Sequence, residues 1–378
     1  MRNLSTLFTD TTDGFLGKIT PEKSQLININ NAKITIWNWL RQGISNAIEK
    51  NEGIHISPRF MLQGSAVYKT RNKPYFVPPQ QMDHDFGCYL PLTIIKETGT
   101  PKIAAQSFFE IVDYLLQQLV KKEQWVSVDV SKKTCSRVIV NQEIHIDIPL
   151  YSIPDDEFET IREKIEKSLV LSSEVARVRL DNWKSVQVKN VLLAHREQGW
   201  KVSDPRKLND YFRKIFMLKG EQLRRISRYL KAWRDYNWSK GGPTSLYLML
   251  SVDHVFKLQN RDDLALLDVL LKMHENLKDD SYQIKNPTDT NEIIEIDGID
   301  RTRLKELTGL FSKDLYTAIY DHNISDIESC RQIRRHLGNR FPLTDRIPDE
   351  SLTNREIVLN TPISNTEMRT PNNRGRAG

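Results

Sequence analysis

The chain has 378 residues, with 55 Lys and Arg against 49 Asp and Glu, a formal charge of +6. Hydrophobic residues make up 39% and charged residues 28%, the balance of a folded globular protein and not of a disordered chain or a collagen. No apolar run approaches the roughly 20 residues that span a bilayer, and the three scattered cysteines exclude a disulfide framework and a structural zinc site.

In chain order, the segment MRNLSTLFTDTTDG lacks the apolar region of a secretory signal, so a cytoplasmic location and no membrane partner are expected. Over 31–50, Ile34, Trp37, Leu40, Ile44 and Ala47 recur at three- and four-residue spacing. That spacing predicts one face of an amphipathic helix, closed by Asn51-Glu52-Gly53. Arg59–Tyr68 leads into a stretch rich in Pro, Asn and Lys (71–81), and Met82–Leu90 then alternates as a strand. Residues 103–121 read as a helix. Trp125–Val130, Cys135–Val140 and Ile144–Leu150 are rich in β-branched residues and read as short strands, the last two joined by Asn141-Gln142-Glu143. This half is expected to be α+β, with helices on one face of a sheet. Beyond Tyr151, the segments 156–170, 206–235, 244–258, 261–277 and 301–320 are helical by pattern, with no convincing strand run. From about Asp345 the chain turns polar and ends PNNRGRAG, which reads as a flexible tail. The expected division is a lobe with an N-terminal helix over 1–200, a helical lobe over 201–344, and the tail over 345–378.

The chemistry concentrates in Leu62–Leu90, LQGSAVYKTRNKPYFVPPQQMDHDFGCYL. Gly64-Ser65 precedes a helical turn. Gly permits close backbone approach to a phosphate and Ser supplies a hydroxyl, although most such dipeptides are plain turns. Asp83 and Asp85 sit two residues apart in an apolar strand and therefore share a face. They are either solvated or held together by a cation, since adjacent carboxylates repel. Asp147 lies in EIHIDIPLY, opposite to the Ile144, Ile146, Ile148 and Leu150 face, and strands deplete Asp. If the two strands are neighbours, three carboxylates converge, a donor set for hard cations such as Mg²⁺. Two such ions would clamp the oxygens of an in-line phosphoryl displacement.

The order Gly-Ser, Asp-x-Asp and a later lone Asp resembles the polymerase-β-like nucleotidyltransferases. QGSAVYKT, QMDHDFGCYLPL, TCSRVIV, HIDIPLYSIP, VSDP, RRISRYLKAWRD and GGPTS are similar to segments of the cGAS/DncV-like nucleotidyltransferases, from about Asp13 to Arg340. The resemblance implies a bilobed enzyme with a mixed, mostly antiparallel sheet, a C-terminal helical lobe and a central cleft. It implies template-independent synthesis of a cyclic di- or trinucleotide from two or three NTPs, in bacterial anti-phage (CBASS) signalling through an effector protein. The alternatives are a linear oligonucleotide or RNA-tailing transferase, or a non-catalytic nucleic-acid-binding relative. By resemblance, Asp83, Asp85 and Asp147 are metal ligands and catalytic, holding two Mg²⁺ ions, with Mn²⁺ as a substitute. Gln63, Gly64, Ser65 and Tyr68 match the turn that contacts the donor nucleotide, and Arg137 matches an arginine near the nucleotides. Lys231 matches a triphosphate ligand within a charged helix. Ser245 matches a second phosphate contact, with a helix-capping role as its alternative. Asp289 and Asn291 compete for one base-contacting position. Met61 and Leu62 replace an aromatic residue associated with folate regulation, so no folate control is expected. No zinc insert and no basic run of five is present, so no obligatory nucleic-acid activator is expected. The terminal Gly378 matches the residue that an E1/E2-like enzyme conjugates in some relatives.

Overall fold

The computed structural model describes residues 1–96, 101–160 and 191–348. Helices α1 (Ser5–Thr9), α2 (Phe15–Ile19) and α3 (Lys23–Glu52) come first. Then follow β1 (Arg59–Leu62), α4 (Gly64–Tyr68), β2 (Met82–Pro91), α5 (Leu92–Lys96) and α6 (Pro101–Glu123). Strands β3 (Ser127–Asp129), β4 (Cys135–Ile139), β5 (Ile144–Ile153), β6 (Leu192–His195) and β7 (Gly199–Val202) complete one sheet. Helices α7 (Pro205–Asn237), α8 (Ser245–Val255) and α9 (Asp262–Asn276), the hairpin β8 (Ile284–Asn286) and β9 (Asp289–Ile294), and helices α10 (Gly298–Tyr320) and α11 (Asp326–Leu337) form the rest.

The sheet runs β1-β2-β5-β4-β3, with β2 parallel to β5 and every other pairing antiparallel. Period-two alternation decides what each face carries. Phe86, Cys88 and Leu90 of β2 and Ile146, Ile148 and Leu150 of β5 turn to one side. There they meet Ile36, Trp37, Leu40 and Ile44 of α3 and Phe108, Phe109, Val112 and Leu116 of α6. The odd positions Asp83, Asp85, His145 and Asp147 are thereby sent to the other face. Helix α3 starts earlier than its apolar spacing, because Glu22 and Gln25 form a capping box, and it ends at Gly53 in the left-handed region.

The second core is helical. Ile226, Tyr229, Leu230 and Trp233 of α7 pack with Tyr247, Leu248, Leu266, Leu270, Phe311, Leu315 and Ile333. Asp204 caps α7 ahead of Pro205, and Gly220, with φ +83°, kinks what the pattern reads as one straight helix. Leu4, Phe8, Phe15, Leu16 and Ile19 join this core and not that of the sheet. Phe8 lies 5.3 Å from Tyr229 and 4.9 Å from Phe341 between ring centroids. Arg2 donates to Asp326 at 2.6 Å.

The expectation of no strand beyond Tyr151 is corrected by two hairpins. The four-residue β6 is too short to carry a pattern and leans on β5 only at Tyr151 and Ser152. Strand β9 is almost wholly exposed, so nothing in it alternates. The helix expected over 156–170 extends beyond the described residues at 161, and the tail lies outside them from 349 onward.

Candidate functional site

A cavity of about 1080 Å³ lies between the sheet and helices α7 and α8. That is just above the roughly 300–1,000 Å³ of small-molecule sites. Its wall mixes Asp83, Asp85 and Asp129 with Arg71, Lys132, Arg137, Lys231 and Arg234.

The turn after β1 is built around the carboxylates. The Gln63 N–H donates to the Asp85 carbonyl at 3.1 Å, which brings the turn down onto β2. Gly64 then adopts φ +62°, and a Cβ there would lie 2.0 Å from Asp85 Oδ2. Only glycine fits that approach. Gly64, Ser65 and Tyr68 line the cavity, and Tyr68 packs on Phe212 at 4.8 Å. Gln63 does not line it. Its buried side chain donates to the Tyr89 hydroxyl (2.9 Å) and accepts from that of Tyr151 (3.2 Å), behind the turn.

Parallel pairing places Asp85 opposite Asp147 and Asp83 opposite His145. Across β4, Arg137 stands opposite Asp147 and forms a fork with it, Nε to Oδ1 at 2.6 Å and a terminal nitrogen to Oδ2 at 2.7 Å. Asp147 is 9% exposed, beneath that arginine. His145 Nε2 lies 3.0 Å from Asp83 Oδ1. Burial pushes the Asp85 carboxyl well up, and the charges of Asp83 and Asp147 push it further. Partial desolvation acts on Asp83 in the same sense, although half its side chain is exposed, but the hydrogen bond and charge of His145, with the charge of Arg137, outweigh it and hold that carboxyl low.

Ligand atoms of Asp83, His145 and Asp147 all lie within 4.8 Å of one another. Oxygen and imidazole donors at this spacing, beside a carboxylate crowded by like charge, fit a divalent cation.

Lys231 is buried, and its Nζ donates to the Thr70 carbonyl at 2.9 Å. Burial, reinforced by Arg234, lowers it to about 8. At Ser245 the two alternatives separate. Thr244 caps α8, accepting from the Tyr247 N–H, so the Ser245 hydroxyl stays in the cavity wall and accepts from Arg234 at 3.3 Å. Gln80 clasps the two halves, accepting from the N–H groups of Tyr75 and Phe76 and donating to the carbonyls of Asp235 and Trp238.

The structure does not bring Asp289 and Asn291 to the cavity. Both are exposed on β9, and Asp289 accepts from the Asn291 N–H. Gly378 lies outside the described residues. Sequence reasoning missed His145, Arg71 and His84. His145 was findable as the residue two before Asp147 and so on its face. Arg71 donates to His84 Nδ1 at 2.5 Å from the cavity wall, and no periodicity marks it.

Two family models match the chain. One, for the nucleotidyltransferase domain of cyclic GMP-AMP synthase DncV-like proteins, matches residues 58–151, and one for the C-terminal domain of cyclic GMP-AMP synthase matches 220–350. The cyclic GMP-AMP synthase of Escherichia coli (strain TW11681) is 33% identical over 253 residues, 64% of this chain and 57% of that protein. That of Vibrio cholerae serotype O1 is 33% identical over 255 residues, 64% of this chain and 58% of its own length. The chain thus matches a little over half the length of these curated relatives. The solved structure of Vibrio cholerae DncV with the linear intermediate 5′ pppA(3′,5′)pG superposes with a TM-score of 0.73 at 24% identity, covering 90% of this chain and 97% of the other. The apo form of the same protein gives 0.72 at 23%, covering 92% and 99%. At these identities the likeness establishes the bilobed fold.

Proposed function

The chain belongs to the DncV-like nucleotidyltransferase family, and from that premise we propose that it joins nucleoside triphosphates into a cyclic dinucleotide by nucleotidyl transfer. The observation that carries the reading is the convergence of three carboxylates, Asp83 and Asp85 in the wall of one large cavity that also holds six Lys and Arg, and Asp147 on the neighbouring strand opposite Asp85, beside a glycine turn fitted to Asp85. A pure anion binder has no use for that negative cluster.

Asp83, Asp85 and Asp147, with His145, would hold divalent cations, two Mg²⁺ or Mn²⁺. When bound, these supply charge neutralisation at the phosphates and a lowered barrier to hydroxyl deprotonation. The protein's own groups do the positioning. The Gly64-Ser65 turn and the Lys231 ammonium face the position of one triphosphate, and Ser245 extends that wall. Lys231 also holds Thr70, so it ties the loop after the turn to the helical half. Asp85, crowded by two other carboxylates, is the group best able to accept the proton of the attacking ribose hydroxyl. Positioning and electrostatics, without a covalent intermediate, suffice for phosphoryl transfer.

The test is incubation of the protein with labelled NTPs and Mg²⁺ or Mn²⁺, phosphatase treatment, and mass spectrometry. A cyclic product has no terminal phosphate and survives. Only phosphatase-sensitive products mean a linear synthase or tailing enzyme, and no incorporation means a binding relative. A role in anti-phage signalling, with an effector protein answering the product, extends this reading on the strength of the motifs. Protection of phage-challenged cells by the wild type, and not by an Asp83→Ala, Asp85→Ala double variant, checks it.

A further inference from the structure

We propose that Arg137 is a resident counter-cation of the carboxylate site, which a divalent ion must displace from Asp147 and which the nucleotide then receives. The proposal rests on the metal-binding reading above and concerns what the site does before the cation arrives.

Three observations carry it. First, the Arg137 fork engages both oxygens of Asp147, at 2.6 and 2.7 Å, while Asp147 is only 9% exposed. Fork pairs of this kind are short, charge-assisted and strong. Second, the pairing is built into the sheet, because β4 and β5 place the two residues directly opposite each other. Third, the Arg137 side chain is 22% exposed and lines the cavity, so its guanidinium has somewhere to go. By contrast, Asp83 meets a histidine, and Asp85 meets the Gly64 turn.

The consequence is competition. A cation entering alone has to take Asp147 from a partner already satisfied, and it leaves a guanidinium in a cleft without its carboxylate. Stranding one member of a poorly solvated pair is costly. A phosphate in the cavity removes that cost, since a guanidinium fork fits phosphate as well as carboxylate. Cation and triphosphate therefore enter together, and each is weak without the other. Coupling of this kind commonly spans about 5–150-fold in affinity.

The test is Mn²⁺ binding to the nucleotide-free protein, read from the loss of the free-ion electron paramagnetic resonance signal. Wild type is compared with Arg137→Gln, which removes charge and fork, and Arg137→Lys, which keeps the charge and cannot form the fork. Arg137→Gln is expected to bind Mn²⁺ roughly tenfold more tightly, with Arg137→Lys between it and wild type. Adding a non-hydrolysable NTP should tighten Mn²⁺ binding less in Arg137→Gln than in wild type. Structural damage would weaken binding and cannot mimic a gain. Unchanged or weaker Mn²⁺ binding in both variants, or in Arg137→Lys alone should Arg137→Gln not fold, overturns the proposal. No Mn²⁺ bound by any of the proteins, with or without nucleotide, refutes the metal reading itself and the proposal with it.

Discussion

Gly64→Ala is the sharpest perturbation of the fit between the turn and the carboxylates. Gly64 holds φ +62°, and its added Cβ would lie 2.0 Å from Asp85 Oδ2. Cβ contacts under 3.0 Å are essentially never seen, so the carboxylate has to retreat by at least 3.0 − 2.0 = 1.0 Å. The backbone of Asp85 cannot retreat with it, because its strand is paired with β1 on one side and β5 on the other. The side chain must rotate away. Misplacing a reacting group by about 1 Å costs on the order of 10²-fold in rate, equivalent to about 2.7 kcal/mol of barrier. The left-handed backbone adds a separate stability cost of roughly 1–2 kcal/mol. Gly53→Ala isolates that cost, since Gly53 holds φ +67° with nothing within 4 Å of an added Cβ. The assay is initial product formation at saturating nucleotide, well below the melting temperature, with circular dichroism melts of both variants. Both should melt a few degrees below wild type, and only Gly64→Ala should lose turnover. A folded Gly64→Ala protein within about threefold of the Gly53→Ala rate would refute the reasoning.

Three further outcomes are expected. Burial lowers Lys231 to about 8, and on the proposed reading its ammonium form holds phosphate. The free protein loses that charge as pH rises through about 8, so affinity for a non-hydrolysable NTP should weaken above it; equal affinity at both ends of a titration across that value removes Lys231 from the phosphate site. Asp85→Asn relieves repulsion by Asp83 and Asp147. A carboxyl whose folded value is raised destabilises the fold when ionised, so in EDTA the variant should melt above wild type at neutral pH. The gain should shrink toward about pH 4, with product formation lost, and a lower melting temperature at neutral pH counts against the crowding described. Gln63→Leu removes one hydrogen bond from each of two buried tyrosine hydroxyls and should cost about 1–3 kcal/mol in urea unfolding, with KM for nucleotide unchanged. A raised KM with stability intact would restore Gln63 as a nucleotide contact.

The sheet's chemistry was legible because strand periodicity is rigid. Two residues apart in one strand, Asp83 and Asp85 had to share a face, and the structure turns that face away from buried Phe86, Cys88 and Leu90. The apolar spacing of α3 and α6 announced the layer behind the sheet. What stayed hidden depends on register between distant strands. That His145 meets Asp83, 62 residues away, follows from a pairing no local pattern encodes. Gln63 shows a second limit. Its neighbours in the turn face the cavity, but one residue of strand-like backbone sends its side chain to the Tyr89–Tyr151 stack. The short hairpins were invisible for want of length and of buried alternation.

The seating of Phe8 and Phe15 among Tyr229 and Phe341 has a consequence for biosynthesis. These aromatics leave the ribosome before their partners, which are translated more than 200 residues later. The sheet and its two covering helices can close while translation continues. The helical core cannot, and the segment carrying Phe8 and Phe15 waits, apolar and unsheltered, until Phe341 emerges. Contacts of such sequence separation slow folding. The nascent chain is thus at greatest risk of straying around Phe8 and Phe15, for as long as Tyr229 and Phe341 are unmade.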